Sequence, residues 1–84
     1  MEIAEKFEDA QRRVKGLAAA PGSDKLLELY ALYKQGTVGD VDGKRPGMLD
    51  IKGRAKYDAW ASRRGMKQDA AREAYVALVD RLAK

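Results

Sequence analysis

Tyr30 and Lys34 stand four residues apart, with Tyr33 beside them. On a helix that spacing puts the phenol and the ammonium on one face. A ring, a hydroxyl and an amine gathered in this way suit a purine nucleotide. The ring takes the base, and the hydroxyl and amine take a phosphate. Lys52 and Lys56 repeat the four-residue spacing further along, and Tyr75 offers a third phenol. The same residues also fit a plainer arrangement, in which the tyrosines are core or rim aromatics and the lysines are solvated charge. Spacing alone leaves both readings open.

Composition narrows the chemistry. The 84 residues contain no Cys and no His. Disulfides, thiolate metal sites, thiol nucleophiles and imidazole acid–base catalysis are therefore absent. Ser23 and Ser62, the only serines, lack a Gly-x-Ser-x-Gly setting. An enzyme of this size would have to work with carboxylates, Lys and Tyr, so a binding protein is expected. The formal net charge of +4 is unevenly spread. Residues 44–67 carry eight basic side chains against Asp50 and Asp58, a balance of +6, whereas residues 1–43 sum to −2. The middle third should attract anions: nucleic acid, an anionic membrane or a phosphorylated small molecule. No run approaches the length of a membrane span and no signal peptide is visible, so a cytoplasmic protein of one domain, residues 1–84, is expected.

Four helices must position these groups. Ile3, Phe7, Ala10, Val14 and Leu17 form one apolar stripe on the first, which stops at Gly16 and Pro21-Gly22. Ser23 is the expected N-cap of the second. Leu26, Leu27, Leu29, Tyr30, Leu32 and Tyr33 make that helix apolar on more than one side, and Gly36 and Gly39 should end it. Arg45-Pro46-Gly47-Met48 predicts a type II turn. The third helix should begin near Ile51 and pack through Ala55, Ala59 and Trp60, with Gly53 weakening its first turn and Gly65 closing it. The fourth, from about Lys67 to Leu82, places Ala71, Tyr75, Leu78 and Leu82 on one face and lacks a capping side chain. No segment alternates like a strand. Short links make antiparallel neighbours, and the long connection at residues 39–50 lets helices two and three run the same way. The expected fold is an all-α four-helix bundle, up-down-down-up, with a long crossover loop between helices two and three.

The runs Tyr30-Ala31-Leu32-Tyr33-Lys34-Gln35-Gly36-Thr37-Val38-Gly39-Asp40 and Arg45-Pro46-Gly47-Met48-Leu49-Asp50-Ile51-Lys52-Gly53-Arg54-Ala55-Lys56-Tyr57-Asp58-Ala59-Trp60 closely resemble the signatures of the acyl-CoA-binding protein family. The similarity extends from Phe7 to Leu82. It implies a bundle that holds medium- to long-chain acyl-CoA without chemistry, buffers and transports it, and delivers it to acyl-CoA-using enzymes. It also implies a monomer with no catalytic residue, metal or separate cofactor, and without stable membrane insertion.

By the same resemblance, Tyr30 and Lys34 would meet the nucleotide, with Lys34 at the ribose 3′-phosphate and Lys56 joining the clamp. Tyr33 and Tyr75 would line the adenine region, Lys15 would assist the phosphates or pantetheine, and Leu26 and Leu27 would border the acyl chain. Phe7, Val14, Leu17, Tyr75, Val79 and Leu82 would join the first helix to the fourth. Ala20 stands where the family commonly has a basic residue, and Gln11 where it has a small one. A basic helical module for nucleic acid is the rival reading; its binding would fall steeply with salt, whereas acyl-CoA affinity would depend on chain length.

Overall fold

The computed structural model describes residues 2–83. Four helices account for the regular structure: α1 (Ile3–Lys15), α2 (Ser23–Thr37), α3 (Ile51–Ala61) and α4 (Gln68–Leu82). There is no strand among the described residues. Side-chain contacts give the directions. Phe7 meets Tyr75 while Arg13 meets Asp80, so α1 and α4 run parallel. Gln35, near the end of α2, reaches the Met66 carbonyl just before α4, so that pair is antiparallel. Trp60 reaches the Gly39 carbonyl while Leu26 faces Ile51, so α2 and α3 are parallel. This is the expected up-down-down-up order.

Each apolar stripe finds a partner because burying it releases roughly 25 cal/mol per Å² of apolar surface. Phe7 and Ala10 of α1, Leu29 and Leu32 of α2, and Ala71, Tyr75, Leu78 and Val79 of α4 form the core. Val14, Met66, Ala74, Val76 and Leu82 pack around it. The expected α1–α4 seam holds at Phe7, Tyr75 and Val79, with Val14 and Leu82 half-buried at its edge. Leu17 lies beyond the end of α1 and is also half-buried. The backbone of α1 lies along α4, not α2, and α1 reaches α2 through Phe7. Packing on both α3 and α4 explains the broad apolar circumference of α2.

Four local expectations are corrected. Gly22, not Ser23, is the N-cap of α2; Ser23 is the first helical residue and makes no capping bond. Gly36 does not end α2, which continues to Thr37. A Cβ on Gly36 would stand 3.0 Å from the Arg72 side chain and 3.3 Å from the Phe7 ring, so the glycine is spent on close approach of α4 and α1. Arg72 uses that proximity to donate to the Gly36 carbonyl at 2.9 Å. The helix turns off instead at Gly39, whose φ of 99° suits a residue without a Cβ.

The third correction concerns the long connection. Gly47 has no positive φ, so the type II turn at Arg45–Met48 does not form. The chain turns two residues later, where Asp50 N–H donates to the Gly47 carbonyl at 3.0 Å and Met48 and Leu49 occupy the corner. Gly53 is not a mere weakness of α3. Its N–H donates to Asp50 Oδ1 at 2.9 Å, and a Cβ there would collide with that carboxylate. The Asp50 cap in this geometry leaves no room for a Cβ at residue 53. As expected, α4 has no side-chain cap; its N-cap is Lys67, one residue ahead of Gln68.

Candidate functional site

The parallel pair α2 and α3 is joined differently at its two ends. At the C-terminal ends the contact is polar and tight. Trp60 Nε1 donates to the Gly39 carbonyl at 2.7 Å. Buried Gln35 donates through Nε2 to Asp40 Oδ1 at 2.9 Å and to the Met66 carbonyl at 2.7 Å. Gly65 N–H also donates to Asp40 Oδ1, at 2.8 Å. These bonds, Gly65 first and Gln35 second, hold the Asp40 carboxyl below its usual range.

At the N-terminal ends the two helices leave a gap. Leu26, Leu27 and Tyr30 of α2 and Ile51, Ala55 and Lys56 of α3 line an open groove of about 300 Å³, with Ser23 and Lys52 at its margin. Nearly all of its wall is hydrocarbon. Lys52 and Lys56 form no ion pair among the described residues, and neither does Lys34. Cations without carboxylate partners remain available to an anion.

Between the two ends each helix lends a lysine to an aromatic of the other. Lys34 Nζ of α2 lies 4.9 Å from the centre of the Trp60 ring of α3. Lys56 Nζ of α3 lies 5.6 Å from the Tyr30 ring of α2. Such contacts contribute about 0.5–1 kcal/mol at exposed sites, enough to bias long side chains toward one place. Tyr30, Lys34 and Lys56 are thus brought together, and Leu26 and Leu27 continue from them as the apolar wall.

The other candidates lie further away. Tyr33 is 39% exposed and its ring centre is 6.1 Å from that of Phe7. Tyr75 is only 5% exposed and stands edge-on to Phe7 at 5.1 Å. Burial, and then Tyr33, raise its phenol above the usual pKa, so it stays a neutral donor at physiological pH. These two tyrosines form an aromatic ledge over Phe7. Lys15 is exposed at the last turn of α1 and forms no ion pair among the described residues.

Sequence reasoning treated Ala55 and Trp60 as packing residues and left Ile51 without a role at the site. Ile51 and Ala55 are four apart and share the groove face, a signal that was present in the spacing. The support of Lys34 by Trp60 depends on how two helices cross, which spacing on one helix does not reveal. No group of His, Cys, Asp or Glu among the described residues could hold a metal ion.

Known proteins share this fold. The profile of the Acyl CoA binding protein family matches residues 4–79. The Acyl-CoA-binding protein homolog 1 of Caenorhabditis elegans is 54% identical over 76 residues, covering 90% of this chain and 88% of the relative. The acyl-CoA-binding protein of Saccharomyces cerevisiae is 46% identical over 80 residues, covering 95% and 92%. The crystal structure of Oryza sativa Acyl-CoA-Binding Protein 2 superimposes with a TM-score of 0.92 at 37% identity, covering 96% of this chain and 90% of that one. With this fold, this groove and these relatives, the chain belongs to the acyl-CoA-binding protein family.

Proposed function

We propose that the protein binds medium- to long-chain acyl-CoA esters without altering them, and so buffers and carries these amphiphiles in solution. The observation that carries this reading is the juxtaposition of an apolar groove with unpaired cations at its edge. Leu26, Leu27, Ile51 and Ala55 shield the acyl chain. Each buried methylene contributes about 0.8 kcal/mol, so a tail of about 16 carbons gains on the order of 10 kcal/mol gross. Lys34 and Lys56 hold the ribose 3′-phosphate, Tyr30 donates its hydroxyl beside them, and Tyr33, packed like Tyr75 against Phe7, offers the adenine a ring to stack on. Lys15 approaches the phosphates or pantetheine from α1. Charge-assisted hydrogen bonds of this kind contribute about 1.5–3 kcal/mol each. The ligand is cargo, so no metal or separate cofactor takes part, and one copy of the chain suffices. Delivery to acyl-CoA-using enzymes follows from reversible binding.

Neither ligand fragment satisfies the whole site. Palmitate has no anchor for the lysines, and free CoA leaves the groove open to water. Calorimetry should therefore give tight binding of palmitoyl-CoA and much weaker binding of CoA or palmitate alone, with the thioester recovered intact by mass spectrometry. Equal affinity for CoA and palmitoyl-CoA would defeat the proposal. No observation favours the nucleic-acid reading: the cations beside the groove flank an apolar trough, not an extended basic track.

A further inference from the structure

Arg72 of α4 makes contacts to three helices with one side chain. Its Nε donates to the Gly36 carbonyl of α2 at 2.9 Å. Its Cζ lies 5.9 Å from the centre of the Phe7 ring of α1. Its Nη1 reaches Asp69, one turn back on α4, at 3.3 Å. The bond to Gly36 is a helix cap supplied from another element. A helix leaves its last four carbonyls without helical partners. Two of those on α2 are met from α4, Gly36 by Arg72 and Thr37 by Gln68 Nε2 at 3.4 Å. The glycine admits this contact, because a Cβ there would stand 3.0 Å from Arg72 Cγ.

Both cross-helix contacts of Arg72 lead to the aromatic ledge. Gly36 follows Tyr33 by three residues, so the carbonyl that Arg72 holds belongs to the turn of α2 that carries Tyr33. Phe7 is the ring beneath that ledge, with Tyr33 at 6.1 Å and Tyr75 edge-on at 5.1 Å. Arg72 therefore holds the turn with a hydrogen bond and the ring with its guanidinium face. A planar guanidinium can do both at once, whereas an apolar side chain can do neither. The side chain is only 28% exposed, so water competes little for these contacts. Arg72 also lies outside both signature runs of the sequence. We propose that Arg72 is a positioning residue for the nucleotide: it fixes Tyr33 relative to Phe7, and so sets the ring surface offered to adenine. This rests on the reading of Tyr33 given above. Arg72 does not touch the ligand; it determines where the ring that does is found.

The test compares ligands that carry adenine with one that does not. Calorimetry of the full chain would use palmitoyl-CoA, adenosine 3′,5′-bisphosphate and palmitoyl-phosphopantetheine. Arg72→Met keeps an apolar stem and removes both contacts. It should bind the two adenine-bearing ligands about fivefold more weakly, the smaller end of what a base stacked on an aromatic side chain contributes. It should bind palmitoyl-phosphopantetheine as the wild type does. Arg72→Lys, which keeps a cation and a donor, should recover most of the loss. Arg72→Gln, which keeps a donor for Gly36 and loses the charge over Phe7, serves if the methionine variant folds poorly, with a loss of about threefold confined to the adenine-bearing ligands. Unchanged affinity for palmitoyl-CoA in these variants would overturn the proposal. So would equal weakening with all three ligands, which would mean a loosened bundle and not a displaced ring. In both cases tight binding of palmitoyl-CoA by the wild type would leave the proposed cargo standing. A wild type that binds no palmitoyl-CoA would end the cargo reading and this inference with it.

Discussion

The two ends of the α2–α3 pair obey opposite rules. The C-terminal end satisfies polar groups, with Trp60, Gln35, Asp40, Gly65 and Met66 joined by short hydrogen bonds. The N-terminal end leaves apolar groups unsatisfied, with Leu26, Leu27, Ile51 and Ala55 facing one another across open space. Two helices with a free apolar seam would close it, because burial is favourable. The polar end prevents this by fixing the helix separation from one side. Stability is therefore concentrated at the polar end, and the unsatisfied apolar surface stays open at the other.

Disturbing the locked end should damage both stability and binding. Trp60→Ala removes a buried ring, the bond to Gly39 and the support under Lys34. A loss of about 3–5 kcal/mol is expected, seen as a fall in Tm of more than about 10 °C, together with weaker palmitoyl-CoA binding. Removing the cation above that ring should separate the two properties. Lys34→Ala should reduce palmitoyl-CoA affinity about tenfold or more by calorimetry while leaving Tm nearly unchanged. An unchanged affinity would remove Lys34 from the site.

Gly53→Ala sharpens the comparison at the start of α3. Alanine is the better helix former by about 1 kcal/mol, yet its Cβ would displace the Asp50 cap. We expect a net loss of up to about 1 kcal/mol by chemical denaturation, where helix propensity alone would give a gain. The smallest effect concerns acid. The Asp40 carboxyl is held below its usual value of 3.8 by Gly65 and Gln35. Its stabilisation is fully present above that value and is lost as pH falls through the lower pKa of the folded state. Melting temperatures recorded below about pH 4 should therefore fall less steeply for Asp40→Asn than for the wild type.

Much of this was legible in one sequence, and the rest was hidden for identifiable reasons. Helix count and direction followed from apolar spacing and link lengths, because both reflect how far a chain must travel to bury a stripe. Tyr30 and Lys34 were legible because they share one helix face. Glycines were read less well. Gly36 looked like a terminator, but its task is to admit Arg72 and Phe7, which come from elements 29 or more residues away. Gly47 looked like the centre of a turn, but the hydrogen bond to Asp50 moved the corner onward. The N-cap of α2 fell one residue earlier than Ser23, within the latitude of helix ends. In the site, Lys56 over Tyr30 and Lys34 over Trp60 were illegible as pairs because each joins two helices across the crossover.

The Arg13–Asp80 ion pair at 2.9 Å has a practical consequence for handling the molecule. It holds the last turn of α4 beside the last turn of α1, the end from which the chain enters α2 and the groove. Anything attached after Leu82 therefore leaves the bundle on the groove side, while an attachment ahead of Ile3 leaves it on the opposite side. A sensor surface or fluorescent fusion coupled through the amino end should leave cargo exchange unhindered, whereas the same coupling through the carboxyl end would crowd it.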